Sequence, residues 1–243
     1  MRLSIVIPAF EESGKIEHDI NSARGFLESK GFEGEIIVVD DGSEDKTAEE
    51  AISAGRNCSG PVEVKVIRNE IHRGKGYAVR CGIKQTRGDY VMFADSGNCV
   101  PYDNTSRGLE LITSGQCDIA HGSRKLAGTY IEKDHGLYRH ICSALFHFFV
   151  AKVMKVPSEL TDTQCGFKIY RGDVARSLYD ACETNGFMFD IEIILRALKQ
   201  GYKIKEFPVY WTCDRDSRLS PAKSIRRIFD ELLKIRNALK ADK

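Results

Sequence analysis

Three short acidic stretches carry the chemistry that this sequence can offer. Pro8-Ala9-Phe10-Glu11-Glu12, Asp40-Asp41-Gly42-Ser43 and Asp95-Ser96-Gly97-Asn98 each come after a run of mostly apolar residues. An ionised carboxylate is an acceptor only: it takes an N–H from a base edge, binds ribose hydroxyls, or holds a hard cation that bridges phosphates. Asp40-Asp41-Gly42-Ser43 reads equally well as a turn with a helix cap. A fourth stretch, Arg73-Gly74-Lys75-Gly76, opens a helical window, where backbone N–H groups and a lysine can meet a phosphate. It is not the dinucleotide fingerprint, because position 79 is Val where a third glycine is needed, and no Gly-Lys is followed by Ser or Thr. Hydride transfer and P-loop chemistry drop out on those grounds. The eight cysteines are never closer than 17 residues, so no CxxC pair clasps zinc, and the histidines at 121, 135, 140 and 147 have no metal-ligand spacing.

Groups so far apart in the chain need a frame to bring them together. Over the first 120 residues two hydrophobic periods alternate, the pattern of strands laid parallel by helical crossovers. The predicted strands are Leu3 to Ile7, Ile36 to Val39, Val62 to Ile67, Tyr90 to Phe93 and Asp118 to Ala120. The predicted helices are Lys15 to Ser29, Asp45 to Ser53, Tyr77 to Thr86 and Asn104 to Thr113, with Gly31, Gly55 and Gly88 where helices should stop. In an open parallel sheet the ligand crevice lies beyond the carboxyl ends of the strands, so the three acidic turns share one rim and suggest a metal and nucleotide site. After Gly122 the pattern changes to a loop over 123–136, a helix apolar nearly all round from Leu137 to Val156, and a short strand from Phe167 to Tyr170. A helix from Asp190 to Gln200, a strand from Ile204 to Trp211 broken by Pro208, and a last helix from Ala222 to Leu239 complete the reading.

With 243 residues, 42% of them hydrophobic, and no internal repeat or linker, the chain is read as one domain over 1–243. Its net charge of +1 excludes a global field for nucleic acid. From Arg218 onward there are eight basic and three acidic side chains, which makes 218–243 a basic amphipathic tail helix. The apolar stretch Ile141 to Ala151 is well short of the roughly 20 residues that span a bilayer. With no secretory leader and well-separated thiols, the expected setting is cytoplasmic, peripheral at the inner membrane surface. The apolar stripes on the 137–156 and tail helices suit either that contact or ordinary core.

The ordered set VIPAFEE (6–12), EIIVVDDGSEDKT (35–47), RGKGYAVRCG (73–82), GDYVMFAD (88–95), HGSR (121–124), LTDTQCGFKIY (160–170) and FMFDIEI (187–193) resembles glycosyltransferase family 2. The DTQCGFK run and the helix and strand after it resemble the dolichyl-phosphate or polyprenyl-phosphate hexosyltransferases, the glucosyl branch more than the mannosyl. The resemblance implies an α/β, GT-A fold, with a single mostly parallel sheet and helices on both faces. It implies inverting transfer of a hexose from a UDP- or GDP-linked donor to a polyprenyl or dolichyl phosphate. Carried over by position, Asp41 meets the base with Asp40 and Pro8 nearby, Glu12 lines the nucleotide pocket, and Lys75 sits over base and ribose. Asp95 is then the first acid of the DxD metal motif, holding Mg²⁺ or Mn²⁺. Two departures stand out: Gly97 replaces the second acid, for which Asn98 or Asp103 is a substitute, and Glu11 stands where the family has Asn. One carboxylate, two phosphate oxygens and waters can still hold magnesium, with lower affinity. Asp162 aligns with the acid beside the reacting sugar, a general base toward a hydroxyl acceptor and an orienting group toward a phosphate. Arg124 and Arg218 resemble basic residues near the pyrophosphate and acceptor phosphate. Two alternatives stand beside this reading: the same donor with a saccharide or soluble acceptor, and a nucleotide-sugar binding protein without turnover.

Overall fold

The first strand, β1 (Arg2–Ala9), is buried from Leu3 to Ala9, a run that only a strand covered on both faces can satisfy. In the computed structural model it lies inside a seven-stranded sheet of order β3-β2-β1-β4-β7-β5-β8. The structure describes residues 1–56, 60–131, 149–212 and 221–241, the side chains of 221–227 and 241 excepted. The other strands are β2 (Glu33–Asp40), β3 (Glu63–Arg68), β4 (Tyr90–Ala94), β5 (Ile119–Ser123), β7 (Phe167–Arg171) and β8 (Ile204–Pro208). All pair in parallel except β7, which runs antiparallel between β4 and β5. A second, two-stranded sheet joins β6 (Tyr130–Ile131) to β9 (Tyr210–Trp211).

Helices cover both faces. On one, α1 (Ile16–Ser29), α2 (Thr47–Arg56) and α4 (Thr105–Thr113) bury Ile16, Ile20, Ala51 and Leu109 against Leu3, Ile5 and Ile36. On the other, α3 (Lys75–Lys84), α5 (Gly172–Asp180) and α6 (Phe189–Lys199) bury Val79, Leu178 and Ile193 against Val6, Ile37 and Phe93. The last helix, α7 (Pro221–Ala241), lays Leu232 and Ile235 on Ile191 and Ile194 of α6, beside Val150 and Met154. Part of the tail helix's apolar stripe is therefore core, while Phe229 and Leu233 remain exposed.

Several expectations are corrected. Gly55 lies within α2, where it packs on Val64 (virtual Cβ to Cγ1 3.3 Å), instead of ending the helix. Helix α3 begins at Lys75, two residues early, because Asp41 fastens its first turn. The strand expected from 204 to 211 divides at Val209 into β8 and β9, each in a different sheet. Helix α5 has no counterpart in the sequence reading, and the loop over 123–136 contains β6. Of the helix expected over 137–156, residues 137–148 lie outside the described residues, and 149–153 are helical. No described helix is long and apolar enough to cross a membrane.

Candidate active site

The carboxyl ends of β2, β1 and β4 lie side by side, so the three acidic turns share one rim as expected. The turns are bonded to one another. Glu11 N donates to Ser43 Oγ (2.7 Å), Glu12 N to Thr47 Oγ1 (2.7 Å) and Asp41 N to Ala9 O (2.8 Å). The backbone carbonyl of Glu12 accepts from Lys15 and Ile16 and so starts α1. Pro8 is buried within β1 opposite Val39.

Asp41 is buried, and its carboxylate is taken up by the loop ahead of α3. Asn69 Nδ2 donates to Oδ1 (2.8 Å), Arg73 N and Gly74 N donate to Oδ2 (3.1 and 2.6 Å), and His72 Nδ1 lies 2.9 Å from Oδ2. Asp40 sits under the turn, accepting from Ser43 N (3.2 Å) and lying 3.5 Å from Arg68. Above them opens a cleft of ≈ 830 Å³ lined by Phe10, Gly42, Ser43, Asn69 and His72, with the His72 ring 3.9 Å from that of Phe10. A flat heterocycle fits against such a ring pair.

Asp41 thus delivers Lys75, whose Nζ lies 2.6 Å from Asp95 Oδ1. Burial works to lower the lysine's pKa, but Asp95 and then Asp190 outweigh it and raise it. Lys75 is therefore charged, and it stands on Asp95. Asp95 N donates to Gly166 O (2.8 Å), which ties the triplet to the 160–166 loop. In that loop Asp162 is 3% exposed. It accepts three N–H bonds from Arg124: from the backbone N (3.0 Å), Nε (2.7 Å) and Nη2 (2.8 Å). Burial alone would raise the Asp162 pKa, but the guanidinium overrides it and holds the carboxyl below the usual range. Arg124 also stands 5.6 Å from the centre of the Trp211 ring. Arg218 lies outside the described residues.

Among the described residues no group of three or more His, Cys, Asp or Glu is arranged to hold a metal ion. Asp95 nevertheless fits a cation that draws its other ligands from phosphate and water. Its side chain is 39% exposed, and Gly166 lets its carboxylate lie against the loop, where a Cβ would overlap it. Neither substitute acid or amide joins it: Asn98 Nδ2 lies toward His18 Nε2 (3.4 Å), and Asp103 is exposed on a 3₁₀ turn over Tyr102–Asn104.

Four polar residues of this region escaped the sequence reading. Glu206 accepts from Asp162 N (2.7 Å) and Thr161 Oγ1 (2.6 Å), fixing the loop. Lys168 and Asp190 form a buried ion pair (2.7 Å), and Lys168 also donates to Thr163 O and Cys165 O. Asp19 accepts from Gly97 N (2.8 Å). The available signal was a charged side chain on an otherwise apolar stripe, as at Asp19 among Ile16, Ile20 and Ala23.

The comparisons with known proteins agree with this layout. The chain is 32% identical to dolichyl-phosphate beta-glucosyltransferase of Drosophila melanogaster, over 91% of this chain and 70% of that one. To the human protein of the same name it is 30% identical, over 97% of this chain and 75% of the relative. Glucosyl-3-phosphoglycerate synthase of Mycobacterium tuberculosis, crystallised with Mn²⁺, UDP-Glc and phosphoglyceric acid, superposes with a TM-score of 0.68 at 19% identity. That match covers 96% of this chain and 79% of the synthase. The same enzyme with Mg²⁺ and UDP gives 0.70. These likenesses carry the fold, which is GT-A. The Glycosyl transferase family 2 model matches residues 4–179, and with the acidic rim, the Lys75–Asp95 pair and the Arg124–Asp162 pair on one edge of the sheet, the chain is a glycosyltransferase and belongs to family 2.

Proposed function

We propose that the protein transfers a hexose, glucose by analogy with its relatives, from a UDP-linked donor to a dolichyl or polyprenyl phosphate, with inversion at the anomeric carbon. The observation that carries the acceptor class is the state of Asp162. A general base works best with a pKa near the working pH and with access to the proton it removes. Asp162 has a depressed pKa and is locked by Arg124, so it suits an acceptor that arrives already ionised. A phosphate monoester does so, its second pKa being about 6.

In this reading the base lies in the Phe10–His72 cleft, over the loop that Asp41 fastens. Lys75 and Asp95 meet the diphosphate. A phosphate oxygen of the acceptor attacks C1 of the sugar, the C1–O bond to the diphosphate breaks with its electron pair on the leaving group, and no proton moves. Mg²⁺ or Mn²⁺, held by Asp95, would supply positive charge to the departing diphosphate. Lys75 supplies charge there from the chain itself, and Arg124, raised in pKa by Asp162 against burial, stays charged beside the acceptor. With the chain read as one domain, the exposed Phe229 and Leu233 of α7, with the basic residues of the tail, suit the surface of an anionic membrane.

The test is turnover against pH, with UDP-glucose and dolichyl phosphate, for wild type and Asp162→Asn. Transfer to the phosphate, with an acidic limb near pH 6 kept in the variant, is expected. No transfer to the phosphate, with transfer to a saccharide hydroxyl that falls roughly 10² to 10⁴ in the variant, identifies a hydroxyl acceptor instead. UDP binding without any transfer identifies a binding protein.

A further inference from the structure

Gly97 stands where the metal motif has its second acid, yet a carboxylate does reach position 97, from another part of the fold. Asp19 lies in α1 between Ile16, Ile20 and Ala23, on the stripe that faces the sheet, and it is 1% exposed. Its Oδ2 accepts from Gly97 N at 2.8 Å, and the backbone N–H of Asn98 favours its ionised form. Both turn residues are left-handed, Gly97 at φ +89° and Asn98 at φ +47°, the latter uncommon for a residue with a side chain. Successive N–H groups turned to one side in this way form a concavity that takes an anion. The Asp19 carboxylate fills it from inside the protein.

This placement is costly to the fold. Oδ1 of Asp19 is buried with no hydrogen-bond partner among the described residues. Burial is the main cause that pushes its pKa up to about 7, with Glu12 adding repulsion against the help of the two N–H groups and Lys15. An apolar residue would satisfy the stripe better. The shown bonds of the Asp19 carboxylate go to the turn next to Asp95.

We propose that Asp19 is a positioning residue for donor binding: through Gly97 and Asn98 it sets the turn that presents Asp95, in place of the order a second acid in the triplet would bring. This deepens the reading of the site as a nucleotide-sugar site and rests on it. A purely structural residue and a positioning residue differ in a measurable way. Removing the first lowers stability and affinity together, whereas removing Asp19 lowers affinity while stability holds or rises.

The experiment compares wild type, Asp19→Ala and Asp19→Asn in three measurements: amide hydrogen exchange at Gly97 and Asn98, melting temperature, and UDP affinity by calorimetry with Mn²⁺. For Asp19→Ala the expected result is about tenfold faster exchange at both amides and about tenfold weaker UDP binding, the loss of a charge-assisted hydrogen bond. The melting temperature should lie no more than about 2 °C below wild type. Asp19→Asn, whose amide oxygen can still accept one N–H, should fall between, and it serves alone if the alanine variant does not fold. Unchanged exchange at 97 and 98, or a fall in melting temperature that tracks the loss of affinity, overturns the proposal. The glucosyl-transfer reading fails separately, if wild type binds UDP yet transfers nothing to a lipid phosphate. If wild type binds no UDP, exchange and melting decide the matter for Asp19.

Discussion

At the scale of the residue, the site works through pairs that commit each charge before any ligand arrives. Asp41 illustrates the consequence. With donors from Asn69, Arg73 and Gly74 and with His72 beside it, its carboxylate holds the start of α3. Asp41→Asn puts an N–H where acceptors are needed, so it should weaken UDP binding about tenfold and also cost about 1–3 kcal/mol of stability. Calorimetry and urea unfolding on the same samples check both. Asp19 gives a pH signature. Its folded pKa is raised from 3.8 to about 7, so the folded state disfavours the ionised form. The stability linked to Asp19 is full below about pH 4, is lost as pH rises to about 7, and is level above. The difference in unfolding free energy between wild type and Asp19→Ala should therefore slope between pH 4 and 7 and be flat above pH 7.5; a flat difference throughout would contradict the shift. Their places after strands and at a helix start singled out Asp41, Asp95 and Lys75 in the sequence, and the family resemblance singled out Arg124 and Asp162. The sequence did not pair Lys75 with Asp95 or Asp162 with Arg124, because each pair joins segments far apart in the chain and their distance is a property of the folded sheet.

At the scale of the element, the strands were legible because burial on both faces writes them as nearly unbroken apolar runs, as in Ile36 to Val39 of β2. Ends were less so: Thr47, where α2 begins, is fixed by its own contacts with Asp45 and Glu12, which spacing does not reveal. Helix α5 opens with Gly172 and Asp173, which read as a turn, although Val174, Ala175, Leu178 and Tyr179 lie at helical spacing and are all buried. Close approach of elements is what the glycines at 82 and 166 allow. On α3, a Cβ at Gly82 would overlap Val6 and come 3.0 Å from Val39 Cγ2, so Gly82→Ala lifts the helix from β1 and β2. The expected loss is about 1–3 kcal/mol, read by chemical unfolding, with UDP affinity changed little in what remains folded. Just before β7, a Cβ at Gly166 would overlap the Asp95 carboxylate. Gly166→Ala should do the opposite, abolishing transfer while the melting temperature moves little.

At the scale of the whole molecule, α6 is fastened to β7, in the middle of the sheet, by the buried Lys168–Asp190 pair, with Lys168 1% exposed. Breaking a buried pair from one side leaves a bare charge, so Lys168→Met should cost about 3–5 kcal/mol, and adding Asp190→Leu should restore much of it. Unfolding free energies of the two single variants and the double variant decide this. Parallel strands and helical crossovers made the doubly covered sheet readable from the sequence; the antiparallel β7 was not, because a strand's direction depends on how the chain returns to it. That insertion has a consequence in time. The middle of the sheet is built from Phe167–Arg171, made after both of its neighbours. While the ribosome adds the roughly 40 residues between β5 and β7, a matter of a few seconds, β4 and β5 each present an unpaired edge. Asp95 and the loop that frames it then reach register in the same closing step. A nascent chain halted before residue 167 is thus a half-sheet with sticky edges, and the strand that closes the gap is also the one that brings the 160–166 loop to Asp95.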